Sequence, residues 1–139
     1  MGTVKKRSNC LLSSSLDIFG DKWSLLIIRD LMFNNKNTYN DFLKSAEGIA
    51  TNILASRLKG LEENGLIEKS EHPGSRAKIL YRLTPKGIEL LPVIIEIHLW
   101  AEKYFTIPSG IEPTLKEAKK DREALIKSIT KSLMENISL

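Results

Sequence analysis

A mainly helical fold carrying one small β-hairpin is what this chain of 139 residues predicts, on three observations. Apolar residues recur at helical spacing through "ATNILASRLKGLEENG", and the pattern stops at Asn64-Gly65. The period then changes: "LIEKSE" and "KILYRL" are short, partly alternating and rich in β-branched or aromatic residues, and "HPGSRA" joins them. After the hairpin, "LTPKG" restarts a helical pattern that continues, with one loop, towards the C-terminus. Two short helices about a tight turn, followed by a basic hairpin, describe a winged helix-turn-helix.

Taken in order, "LDIFGDKWSLLIIRDLMF" places Trp23, Leu26, Ile27, Leu31 and Met32 on a helix that Asp21 caps and Asn34–Asn37 ends. Thr38-Tyr39 reads as a minimal strand, and Asn40 as the cap of a second helix, Asp41–Ala46, that buries Phe42 and Leu43. Glu47-Gly48-Ile49 is the turn. The third helix spans about 50–64, with Ile53, Leu54, Leu58 and Leu61 on one face and Gly65 supplying the left-handed residue past its end. The hairpin covers about 66–83. Thr84 caps the next helix with Pro85 in its first turn, and Pro92 should kink or break it before Phe105. "TIPSGIEP" is a loop, and a single last helix starts at Thr114 with Glu117 in capping-box spacing. The chain thus divides into a winged helix-turn-helix domain over 1–105 and a C-terminal helix within 106–139 that extends the dimerisation surface.

Composition agrees with an ordinary soluble protein: 42% hydrophobic and 27% charged residues. No apolar run approaches the roughly 18 residues of a membrane span. "MGTVKKRSNC" has bases but no apolar core of a secretory leader, and Lys6 stands where myristoylation wants serine or threonine. Cys10, the one cysteine, fits a reducing cytoplasm and cannot make an intrachain disulfide. The net charge of +4 is unevenly spread: +4 over 1–60, −1 over 61–105 and +1 over 106–139. A basic excess on the part that carries the helix-turn-helix favours an anionic partner such as the phosphate backbone of double-stranded DNA, although many soluble proteins carry such a charge and bind no nucleic acid.

A recognition helix needs an apolar face that seats it and a short polar face that reaches base edges. In the third helix that second face holds Thr51, Asn52, Ala55, Ser56 and Lys59. Asn52 offers the donor and acceptor pair that suits adenine, and Thr51 and Ser56 serve bases or phosphates. Arg57 and Lys59 suit phosphates, which position without reading sequence. Alone, this face is equally that of any solvated amphipathic helix; the basic hairpin behind it, with Arg76 and Lys78 beside its turn, favours DNA. Lys5, Lys6 and Arg7 are either an arm on phosphates or a solvated terminus. Tyr39 is either a phosphate donor or core. No metal spacing and no catalytic constellation involves His72 or His98, so the residues predict neither an enzyme nor a cofactor.

Three segments together resemble the HxlR family of regulators, winged-helix proteins related to the MarR group. "GDKWSLLIIRDLMF" is similar to that family's "GKWTLLIL-x-x-L" opening. "GIATNILASRLKGLEENGLIEK" resembles its "GIS-x-x-x-L-x-x-RL-x-x-LE-x-x-GLI-x-R" segment. "YRLTPKGIELLPVI" with the later "LWAE" resembles its "Y-x-LT-x-x-G-x-x-L-x-P-V…W" helix. The likeness covers about Cys10 to Glu102. It implies a homodimeric, cytoplasmic DNA-binding regulator whose terminal helices build the dimer. Such a dimer is expected to place two recognition helices in successive major grooves of a pseudo-palindromic operator, with half-sites roughly 34–36 Å apart. Some members sense electrophiles or oxidants through a cysteine near the N-terminus, where Cys10 stands here. Two departures are visible: Leu11 follows Cys10 where the family often has proline, and Ala50 replaces the usual serine before the recognition helix, so that Thr51 is expected to take over the cap.

Three other readings stay open at this level. Cys10 is the candidate for a thiol switch with an oxidant as effector, near the charges of Lys5, Lys6 and Arg7. The winged helix could serve only as a protein-interaction module. A small-molecule effector could sit among Trp23, Trp100, Tyr104 and Phe105.

Overall fold

The computed structural model describes residues 6–137, so Lys5 lies outside the described residues. They form α1 (Leu11–Phe19), α2 (Ser24–Phe33), α3 (Tyr39–Leu43), α4 (Thr51–Glu63), β1 (Ile67–His72), β2 (Ser75–Leu83), α5 (Pro85–Ile88), α6 (Leu91–Ala101), α7 (Glu112–Lys120) and α8 (Arg122–Ile137). The architecture is mainly helical with one antiparallel two-stranded hairpin, as the sequence predicts. Two compact units divide between Gly87 and Ile88.

In the first unit, α2, α3 and α4 pack with the hairpin around Ile27, Ile28, Phe42, Leu54, Leu58, Leu61, Leu66, Ile67 and Leu83. Leu54, Leu58 and Leu61 alternate at three- and four-residue steps, so one stripe of α4 meets α2 and α3. Asp21 fixes where α2 starts: its Oδ2 accepts from the N–H groups of Trp23 and Ser24, both at 2.9 Å, and its Oδ1 accepts from the Ser24 hydroxyl at 2.6 Å. Past the end of α4, Gly65 has φ +77°, a conformation that a side chain disfavours. Its carbonyl accepts from the Thr84 hydroxyl at 2.5 Å, and the Lys86 ammonium donates to Asn64 O at 2.8 Å. The end of the recognition helix is thereby tied to the far side of the hairpin.

The structure corrects the expected helix-turn-helix start. Thr38-Tyr39 is not a strand and Asn40 is not the cap; Thr38 caps α3. The Thr38 hydroxyl accepts from Asp41 N at 3.2 Å, while the Asp41 carboxylate accepts from the N–H groups of Thr38 and Asn37. Threonine and aspartate three apart satisfy two orphan donors reciprocally, which Asn40 could not do. Burial pulls the Asp41 carboxyl up, but its hydrogen bonds with Asn37 and Thr38 outweigh that and hold it below the usual carboxylate range. The Glu47 carboxyl is also held low, chiefly by hydrogen bonds from Arg29. A group whose folded value is depressed adds stability that is complete above its unfolded value and disappears as pH falls through the folded one. Urea midpoints are therefore expected to be flat above about pH 5 and to decline as pH drops below about 4.

In the second unit, α6, α7 and α8 pack on Leu91, Ile94, Ile95, Leu115, Ala118 and Leu133. Pro92 breaks the expected long helix: α5 ends at Ile88 and α6 opens with Pro92 in its first turn, where the missing N–H has no partner to lose. The single last helix is in fact two. Thr114 lies inside α7, which begins at Glu112, and Asp121 leaves the helical region at φ −156°, ψ 88°. Its Oδ1 accepts from Ala124 N at 3.1 Å, so an aspartate after two lysines starts α8 instead of continuing α7. Lys119 pairs with Glu102 at 3.0 Å, and Arg122 with Glu96, which fastens this helical pair to α6 and the segment after it.

Candidate nucleic-acid interface

The polar face of α4 is open. Thr51, Asn52, Ala55, Ser56 and Lys59 are all exposed, with Leu54 and Leu58 buried between them. Ala50 precedes the helix with extended backbone and no side-chain cap, and Thr51 does not replace it; Thr51 is the first helical residue. What holds this end is Tyr39, whose hydroxyl donates to Thr51 O at 2.9 Å. Tyr39 therefore ties α3 to the first turn of the recognition helix.

Arg57 is half-buried and turns away from the open face. Its Nε lies 3.0 Å from Asp21 Oδ2, with the N–H not directed along that line. Burial raises the Asp21 carboxyl, but bonds from the Ser24 hydroxyl and from the N–H groups of Trp23 and Ser24, together with the Arg57 charge, bring it below the usual range.

The wing is a tighter hairpin than expected. Its turn is Pro73-Gly74, and β2 already starts at Ser75, so Arg76 and Lys78 stand on the strand and not in the turn. Glu71 pairs with Ile79 and His72 with Ser75, which leaves Arg76, Ala77 and Lys78 opposite a single step of β1. A bulge of this kind pushes side chains out of the ladder. Both cations are exposed. His72 accepts from Gly74 N at 2.9 Å through Nδ1 and so shapes the turn. Among the described residues, Lys59, Arg76 and Lys78 have no acidic partner, whereas Lys69 and Arg82 pair with Glu62 and Glu68 at 3.6 and 3.8 Å. Of the expected N-terminal arm, Arg7 is bound at 2.5 Å to Asp17 and Lys6 is exposed.

A buried polar hub beneath the turn escaped the sequence reading. Asp30, 3% exposed, takes hydrogen bonds from Arg29 (2.9 and 3.1 Å), Asn34 (2.7 Å) and Ser45 (2.6 Å). Lys36 donates to Ser45 at 2.9 Å, and Arg29 reaches on to both oxygens of Glu47. The hub locks α2 to the segment between α3 and α4. Its one signal in sequence is an acid at the core end of "LLIIRDLMF", where an apolar residue would be routine. His98 donates from Nδ1 to Ile94 O at 2.8 Å within its own helix. Among the described residues, no group of three His, Cys, Asp or Glu is placed to hold a metal.

A helix-turn-helix whose second helix shows an open polar face, backed by a wing with uncompensated cations, defines a winged helix-turn-helix regulator. The chain belongs to the HxlR-like helix-turn-helix family, whose sequence profile matches residues 18–109. That family is one of transcriptional regulators, not of enzymes. The chain is 33% identical over 89 residues to the uncharacterized HTH-type transcriptional regulator sll1512 of Synechocystis, a match that spans 64% of this chain and 65% of that relative. It is 33% identical over 93 residues to the HTH-type transcriptional regulator YodB of Bacillus subtilis, across 67% of this chain and 82% of YodB. The crystal structure of PA1607 is similar at a TM-score of 0.66 and 40% identity, over 76% of this chain and 72% of that one. Quinone-bound YodB is similar at 0.56 and 31% identity, over 68% and 99%.

Proposed function

We propose that the protein acts in the cytoplasm as a homodimer that binds a pseudo-palindromic operator, with α4 in the major groove and the wing on the adjacent backbone or minor groove. The observation that carries this is the pairing of an open Asn52, Ser56 and Lys59 face with Arg76 and Lys78, cations with no acidic partner among the described residues. Base reading falls to Asn52, with Thr51, Ala55 and Ser56 around it, and phosphate contact to Lys59, Arg76 and Lys78. The test is selection of short duplexes from a random pool, with affinity for the winner measured against salt. A binder that neutralises several phosphates loses affinity steeply as salt rises. Arg76→Ala should weaken all sequences alike and lower the salt slope by about 1. Asn52→Ala should relax preference at one base position, at about 1–3 kcal/mol. Affinity indifferent to salt would instead make the winged helix a protein-interaction module.

Support for the dimer comes from the outer face of α6. Val93, Ile97 and Trp100 are exposed there, and Tyr104, tilted, and Phe105, edge-on, lie against Trp100 at 5.3 and 6.4 Å between ring centroids. An apolar helix face of this kind marks an association surface. Residues 1–105 then hold the DNA-binding domain and the family core, and 106–139 extend the dimerisation surface. Ile97→Asp is expected to give a monomer by light scattering and to weaken operator binding strongly. A wild-type monomer at micromolar concentration would refute the dimer.

A second reading, a thiol switch, is favoured by one observation: Cys10 is exposed at the N-cap of α1. Its effector would be an oxidant or, by likeness to quinone-bound YodB, an electrophilic small molecule. An oxidant response of operator binding that survives Cys10→Ser would remove it. Trp100, Tyr104 and Phe105 cluster on the second unit, while Trp23, in the first, lines a cavity of about 10 Å³ with Ile27, Asp30 and Phe42.

A further inference from the structure

We propose that Arg57 serves DNA reading as a positioning residue, holding the roll of α4 through Asp21, and not as a contact to phosphate. The inference rests on the DNA-binding reading above.

Leu54, Leu58 and Leu61 bury one face of α4, but aliphatic contacts are non-directional and let a helix rotate by small angles at little penalty. Arg57 stands at the edge of that face. At 3.6 residues per turn, it lies about 140–160° around the helix from Asn52, Ala55 and Lys59, nearly opposite the open surface. A phosphate contact would ask it to reach round its own helix. Its actual neighbour is Asp21, whose Oδ2 is 3.0 Å from Nε. Asp21 cannot follow a moving partner, because Trp23 N, Ser24 N and the Ser24 hydroxyl already hold both its oxygens. The pair therefore ties the recognition helix to a fixed point at the start of α2. With Tyr39 holding Thr51 at the other end, it sets which way Asn52 and Lys59 face.

The experiment compares wild type, Arg57→Ala, Asp21→Asn and the double variant, each against the selected operator and a random duplex across a salt series. Asparagine keeps an acceptor for the N–H groups of Trp23 and Ser24, so α2 still starts correctly; circular dichroism checks this. Each single variant is expected to lower the operator-to-random preference by about threefold to fivefold, the range of one partly exposed ion pair. The double variant should fall no further, because both changes break one interaction. Random-duplex affinity and the salt slope should stay at the wild-type values, which a loss of stability alone would not produce. The proposal is overturned if Arg57→Ala lowers the slope by about 1 while Asp21→Asn leaves the preference intact, the pattern of a phosphate contact. It is equally overturned if both variants weaken operator and random duplex in step. A wild type that binds no duplex would instead refute the DNA-binding reading itself.

Discussion

Asp30→Ala is expected to remove about 3 kcal/mol of stability, seen as a lower urea midpoint with little change in slope. The carboxylate is 3% exposed and accepts from Arg29, Asn34 and Ser45. Truncation deletes an anion and also strands donors that water reaches poorly. The Ser45 hydroxyl and one edge of the Arg29 guanidinium lose their acceptor, and such orphaned groups are what make a broken buried network expensive. Asp30→Asn should recover part of the loss, because the amide oxygen still accepts while the charge match to Arg29 is gone. Glu47→Gln, at the exposed end of the same chain of bonds, should change stability by less than about 1 kcal/mol. The damage should reach function as well: with the hub gone, the segment carrying Ser45 and Glu47 no longer fixes the approach of α4, so operator binding falls even where the variant is folded. An Asp30→Ala midpoint within error of wild type would show that the hub is decoration.

Gly87→Ala is the second large effect. A Cβ built at Gly87 would lie 2.1 Å from the Leu66 carbonyl oxygen and 3.0 Å from Leu83 Cδ2. That carbonyl cannot withdraw, because it accepts from Thr84 N at 3.1 Å at the base of the wing. Either α5 or the first residues of the hairpin must move, with an expected loss of about 2–3 kcal/mol. Gly60 is the control with the opposite sign. It lies inside α4 and an added Cβ would meet nothing within 4 Å. Gly60→Ala should therefore stabilise by about 0.4–1 kcal/mol, through a less flexible unfolded chain and better helix propensity. A Gly87→Ala variant that unfolds at or above the wild-type temperature would show that the close approach of Gly87 to Leu66 is wrong.

These effects separate what is readable along the chain from what is not. The leucine spacing of α4, the stop at Asn64-Gly65, the change of period in the wing and Thr84-Pro85 before α5 are local signals. Each depends on residues within one or two turns, and the structure reproduces them. The Thr38–Asp41 cap was equally local, yet the shorter-range appeal of Asn40 hid it. Asp121 likewise interrupts a stripe whose apolar period runs on undisturbed through Leu125 and Leu133.

By itself, then, the amino-acid order determined the succession of helices and hairpin of a winged helix-turn-helix, because hydrophobic period and turn chemistry act over a few neighbouring residues; the HxlR type came from the likeness of its motifs to that family. Only the tertiary structure decided which charges remain available to a partner. Arg57 looks like Lys59 in sequence, but one meets Asp21 from 36 positions away and the other meets no acid among the described residues. Whether a cation is spent inside the fold or left for a phosphate depends on which segments are brought within about 4 Å, and that distance has no local code.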